Sequence, residues 1–182
     1  MRASRSALLL SALSGLFSMA AATPPAADTK PFILRIPPLH LELAVQRPTT
    51  WQFQVVENRF PMLFVPPPTG NHPTAEWTFE FRQADDGNTI PEVIAHCRAM
   101  ISQHSELQVL DDGEAHRADG KKAGYVRYRS GTPDNPIIVR SYFFFCGSSM
   151  LFVTETTSVD DWPKYAPTLA AITDSLDWKT LP

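Results

Sequence analysis

Two cysteines, five histidines and eight glycines in 182 residues leave little from which to build most catalytic sites. There is no glycine-rich loop to cradle a phosphate, so nucleotide chemistry has no anchor. Gly147-Ser148-Ser149 lacks the G-x-S-x-G spacing of an exposed nucleophilic serine and reads as a hairpin turn. His96 and His104 lie on one predicted helix, about 12 Å apart along its axis, too far to share a tetrahedral metal ion. Cys97 points about 100° around the helix from His96, and its place on an apolar stripe disfavours it as a nucleophile. The acidic pairs Asp85-Asp86, Asp111-Asp112 and Asp160-Asp161 adjoin turns or helix starts, where carboxylates cap and bend the chain. None spells a calcium loop. No catalytic, cofactor-binding or metal-ligating residue is therefore assigned, and no cofactor is expected.

Basic clusters are also missing. Lys and Arg number 16 against 19 Asp and Glu, and the densest basic spot is Lys121-Lys122. Nucleic acid and anionic membrane surfaces are disfavoured as partners, since both are bound by clustered positive charge. No segment beyond the N-terminus is apolar for the roughly 20 residues that a membrane span needs. The best, Ser141 to Val153, is broken by Gly147-Ser148-Ser149.

What is present starts with the first residues. Arg2 and Arg5 precede an uncharged apolar run, Ala7 to Met19, and Ala20-Ala21-Ala22 then offers an A-x-A cleavage site before Thr23. This is the layout of a secretory signal peptide, expected to span residues 1–22 and to be cut between Ala22 and Thr23. No cysteine follows to accept a lipid, and the arginines are not paired as a twin-arginine signal requires. The expectation is a periplasmic or secreted protein with no stable membrane anchor after cleavage. In an oxidising compartment, the even cysteine count suggests one disulfide, Cys97 to Cys146. Closing a loop of about fifty residues, it would contribute about 3–4 kcal/mol. The alternative is two buried free thiols.

Residues 23–31, with Pro24, Pro25 and no periodic apolar pattern, read as a flexible lead-in, and a single α+β domain is expected over residues 32–182. Leu39 to Val45, Trp51 to Val55 and Trp77 to Phe81 alternate apolar and polar as half-buried strands do, and Met62 to Val65 is a short buried run. At Thr89-Ile90-Pro91-Glu92 a capping box opens a helix predicted over Ile90 to Ser105, with Val93, Ile94, Cys97, Met100, Ile101 and His104 on one face. Gln108 to Leu110 and Gly124 to Tyr128 read as strands, with Asp111-Asp112-Gly113 as a turn. The apolar density of Ile137 to Phe145 and Met150 to Thr156 marks a hairpin at the centre of a sheet. A closing amphipathic helix presents Trp162, Tyr165, Leu169, Ile172 and Leu176, its regular part starting near Ala166 because of Pro167. The fold class is α+β, an antiparallel sheet with helices packed on it.

Pro48 to Trp51 leading into a strand, Gly124-Tyr125-Val126-Arg127-Tyr128, the aromatic strand Tyr142 to Phe145, and the ending Asp161-Trp162 to Ile172-Thr173-Asp174-Ser175-Leu176 together carry a resemblance. The chain resembles the PsbP-like α/β/α sandwich, whose bacterial relatives include the DcrB-like periplasmic proteins. Leu176 stands where that family usually has Phe, and Thr50 where a glycine often precedes its tryptophan. The resemblance implies a scaffold whose members mostly bind other proteins, and it carries over no catalytic residue.

The expected function is that of a non-enzymatic, exported protein-binding or envelope-accessory protein, with another protein as its partner. A periplasmic immunity protein capping a toxin is the alternative. A small hydrolase whose residues meet only in the folded chain is a third. Contact residues are sought in two proline-rich segments, at Pro66, Pro67, Pro68, Asn71 and His72, and at Thr132, Pro133, Asp134 and Asn135. Proline there limits the entropy lost on docking.

Overall fold

The computed structural model describes residues 28–55, 62–67, 74–84, 89–116, 119–146 and 149–182. The expected signal peptide and its cleavage site at Ala22 and Thr23 lie outside the described residues, as do Pro68, Asn71 and His72. The elements run β1 (Thr29–Ile36), a 3-10 turn (Pro37–Leu39), β2 (Leu41–Pro48), β3 (Gln52–Val55), β4 (Met62–Val65), β5 (Ala75–Gln83) and α1 (Ile90–Ser102). They continue with β6 (Gln108–His116), β7 (Lys122–Thr132), β8 (Asn135–Cys146), β9 (Ser149–Ser158), α2 (Trp162–Asp174) and β10 (Asp177–Thr180). A seven-stranded antiparallel sheet has the order β3-β4-β5-β9-β8-β7-β6, and a three-stranded one the order β1-β2-β10. The predicted hairpin, β8 and β9, is at the centre of the large sheet.

Period-two alternation sorts the core onto the two faces of this sheet. On one face Trp77, Phe79, Phe144, Leu151 and Val153 pack with Leu43 and Val45 of the small sheet and Leu169, Ile172 and Leu176. On the other, Val126, Phe143 and Met150 pack with Val93, Ile94 and Ile101 of α1. Helix α1 lies over β6 and β7, whereas α2 lies over β5, β9 and β2. The helices therefore cover opposite faces and opposite halves of the large sheet. Gly124 makes the α1 contact possible, since a Cβ there would come within 2.8 Å of both Ile90 Cγ2 and Phe143 Cδ2. The expected capping box opens α1, with the Thr89 N–H and hydroxyl each donating to Glu92 Oε2 at 2.8 Å.

Several expectations require correction. The lead-in gives way to strand at Thr29 rather than Phe32, because β1 pairs with β2 from Thr29 opposite Pro48 onward. Pro31 is tolerated there since β1 is an edge strand. Asp111-Asp112-Gly113 is no turn but the middle of β6. A register shift between Val109 and Asp111 sets Asp111 opposite Arg127, and Asp112 lies 3.4 Å from Arg98 of α1. These acids are thus held in strand by cross-strand and helix partners. Helix α1 ends at Ser102, before His104, and α2 begins at Trp162 and runs through Pro167, whose ring is exposed to solvent. Strand β10 has no sequence signature; Lys179 Nζ (2.7 Å) and Arg35 Nε (2.8 Å) both reach Glu42 between them, holding its carboxyl below the usual range.

The expected disulfide is not formed. Both cysteines are free. Cys97 packs with the α1-side cluster and Cys146 with the α2-side cluster, so the large sheet separates them. Burial pushes the Cys97 thiol up and the Cys146 thiol up to about 12, which keeps both protonated at neutral pH. Alkylation of the unreduced chain in denaturant should label two thiols, and alkylation of the native protein should reach Cys97 well before Cys146. Mass spectrometry showing no labelled thiol after unfolding would restore the bridge.

Candidate functional site

Antiparallel register builds a row of charge across four strands. Glu155 of β9 is opposite Arg140 of β8, Arg140 is opposite Arg127 of β7, and Arg127 is opposite Asp111 of β6. On the other side of Glu155 stands Trp77 of β5. All these residues point to the α2 face. The row therefore places two arginines side by side, each neutralised by an acid on its outer flank.

The inner pair is buried. Glu155 is 0 % exposed, and its Oε2 accepts from both Nε (2.7 Å) and Nη2 of Arg140. Its Oε1 accepts from the Thr173 hydroxyl of α2 at 2.6 Å, and that hydroxyl oxygen accepts from Trp77 Nε1 at 2.9 Å. Burial pushes the Glu155 carboxyl up, while Arg140 and the Thr173 hydroxyl favour its ionised form. This chain of bonds ties α2 to β5, β8 and β9. Trp162, at the start of α2, faces both guanidinium groups, its ring centre 5.3 Å from Arg140 Cζ and 6.0 Å from Arg127 Cζ.

The outer pair is open. Arg127 Nη2 donates to Asp111 Oδ2, and the two side chains are 32 % and 40 % exposed. Because α2 leaves the β6–β8 half of this face uncovered, a cleft of about 170 Å³ remains. Asp111, Ala115, Tyr125, Arg127, Arg140 and Tyr142 line it. The two tyrosine rings are 6.0 Å apart, and burial raises the Tyr142 phenol so that it stays neutral.

A second surface forms at one end of the sheet. Thr132 and Asn135 are paired residues of the β7–β8 hairpin, so Pro133-Asp134 is a tight turn rather than a long loop. The Asn135 N–H donates to Thr132 Oγ1 at 3.2 Å. Gly131 has φ +87°, and a Cβ there would meet the Asn135 carbonyl oxygen at 2.4 Å, so the turn requires glycine. A groove of about 500 Å³ brings Asn135 and Ile137 together with Thr74, Glu76, Ser158 and Asp161. Thr74 directly follows the first proline-rich segment, whose start is also described: Pro66 is buried and Pro67 exposed. On the other side of the turn a groove of about 320 Å³ holds Pro133, Pro136, Arg129 and Glu106. The two proposed contact segments thus leave the sheet at the same end.

Among the described residues no three His, Cys, Asp or Glu side chains converge as metal ligands, and no helix is long and apolar enough to cross a membrane. The charge row and its cleft were not anticipated. The only trace in the sequence is polar residues interrupting apolar strands at Arg127, Arg140 and Glu155.

No protein-family model matches the chain, and no curated protein matches it in sequence. Solved structures do resemble it. LpqN of Mycobacterium tuberculosis superposes with a TM-score of 0.63 at 11% identity, over 84% of this chain and 92% of LpqN. Cyanobacterial PsbP from Synechocystis sp. PCC 6803 gives 0.58 at 9% identity, over 87% and 98%. PA94 of Pseudomonas aeruginosa, a protein of unknown function, gives 0.56 at 14%, over 80% and 94%. At such identities the likeness speaks for the fold. Two helices packed on a large antiparallel sheet, matched along nearly the full length of a cyanobacterial PsbP, make this chain PsbP-like in fold.

Proposed function

We propose that this chain is a non-enzymatic accessory protein of the cell envelope, exported by its N-terminal leader, that works by binding another protein at the loop end of its sheet. The observation that carries this reading is the convergence of Thr74, Asn135 and Asp161 on one groove, beside the rigid Pro133-Asp134 turn. A preformed turn loses little entropy on docking. Two groups that could do chemistry are held instead in structure: Glu155 is locked by Arg140 and Thr173, and the Cys146 thiol is buried and protonated. LpqN, described as involved in cell envelope biogenesis, has a similar fold. The layers fit an α/β/α sandwich in which the small sheet completes the α2 side.

Photo-crosslinking in the native cell tests this. A crosslinking residue at Asp134 or Thr74 should capture one envelope protein, while the same residue at Ser102, at the end of α1, should not. The mature N-terminus should be Thr23. Retention of an uncut chain in the cytoplasm, or equal capture from Ser102, would overturn the proposal. Capture of a toxin whose activity is then blocked would identify the partner class as that of an immunity protein.

A further inference from the structure

We propose that the cleft over β6, β7 and β8 is a binding site for a singly charged carboxylate, held by Arg127 in exchange for Asp111. The two arginines use their guanidinium groups differently. Nε and Nη2 lie along one edge of the group and together match the two oxygens of a carboxylate. Arg140 spends that edge on Glu155, with both nitrogens on Oε2. Arg127 spends only half of it. Its Nη2 donates to Asp111, while its Nε is buried and has no hydrogen-bond partner among the described residues. A buried N–H of a charged group left unsatisfied costs free energy that a suitable acceptor recovers.

Asp111 is the replaceable partner. It is 40 % exposed and has water to turn to, whereas Glu155 is buried and anchored by Thr173 as well. The charge of the row selects the ligand class. Within the row two arginines face two acids, and Asp174 adds a negative charge near Glu155 and Tyr142, so a monoanion replaces the charge that Asp111 withdraws, while a phosphate dianion would add a further one beside both acids. A planar carboxylate matches the Nε–Nη2 fork of Arg127 once Asp111 turns to water and opens the buried Nε to the cleft. The rings of Tyr125 and Tyr142 then offer walls to an apolar body small enough for about 170 Å³. Two sources carry this chemistry: a free small carboxylic acid, or the C-terminal carboxylate of a polypeptide.

Calorimetry on the full chain separates these cases, with benzoate, inorganic phosphate, and a short peptide as its free acid and its C-terminal amide. Benzoate or the free-acid peptide should bind; the amide and phosphate should bind at least tenfold more weakly. Binding of benzoate alone assigns the site to small acids, and binding of the free-acid peptide alone assigns it to chain ends. Asp111→Asn should tighten binding about tenfold, because it releases Nη2. This gain is a result that a purely structural ion pair would not produce. Arg127→Gln should abolish binding, and Arg127→Lys should too, since an ammonium cannot form the fork. Ala115→Leu, which fills the cleft and leaves the ion pair intact, should block binding even if the Arg127 variants fold poorly. The proposal falls if neither carboxylate binds, if phosphate or the amide binds equally well, if Asp111→Asn fails to tighten binding, or if Ala115→Leu leaves binding unchanged.

Discussion

Glu155→Ala should lower the unfolding free energy by about 3–5 kcal/mol, the cost of stranding one member of a buried ion pair. In the variant Arg140 keeps its charge but loses the acceptor of both its Nε and Nη2, and Thr173 loses the acceptor of its hydroxyl. Neither is easily rescued by water, because Glu155 is 0 % exposed and Arg140 is mostly covered. Urea denaturation followed by tryptophan fluorescence and circular dichroism reads the loss directly. Glu155→Gln keeps the side-chain volume and an acceptor for Thr173, so it should cost less than the alanine variant. The double variant Glu155→Leu with Arg140→Met should recover part of the loss, as apolar replacement of a buried pair removes its desolvation penalty. A cost below about 1 kcal/mol for Glu155→Ala would show that the pair is solvated and that the row does not tie α2 to the sheet.

Trp77→Ala should be comparably severe, at about 3–5 kcal/mol, the usual cost of emptying a large aromatic site in a core. The indole is 0 % exposed, stacks on Phe64 with ring centres 5.4 Å apart, and lies 5.4 Å from Phe79. Trp77→Phe separates packing from hydrogen bonding. It retains most of the ring but removes the Nε1–H that reaches Thr173. A lost buried hydrogen bond costs about 1–3 kcal/mol, so the phenylalanine variant should fall between wild type and alanine. If Trp77→Phe were as stable as wild type, the Trp77–Thr173–Glu155 chain would contribute nothing to the docking of α2. Glu155→Ala and Trp77→Phe share Thr173, so their costs should add to more than the double variant shows.

Elements whose cause is local could be read from sequence. The capping box at Thr89 and Glu92 sets the start of α1 within five residues, and the alternation of Trp77, Phe79 and Phe81 specifies a strand without knowledge of its neighbours. The dense apolar hairpin of β8 and β9 could be placed at the sheet centre because only a twice-covered strand tolerates such composition. Misreadings arose where a distant partner overrode local preference. Asp111 and Asp112 look like a turn until Arg127 and Arg98 stand beside them. Pro167 looks like a helix boundary until α2 is seen to turn its ring to solvent. The cysteine pairing failed because parity and compartment say nothing about which side of a sheet each thiol occupies.

By itself the sequence determined the α+β composition, the two helices and the central hairpin, each a matter of neighbours within a few residues. Only the tertiary structure decided that Asp111, Arg127, Arg140 and Glu155 form one row, that Trp162 faces its two arginines, and that the two cysteines stand apart. The reason is register. Side chains alternate along a strand, so a slip of one residue in any pairing would send a member of the row to the opposite face. That pairing is settled by the packing of the whole sheet between α1 and α2, which no short stretch of sequence contains.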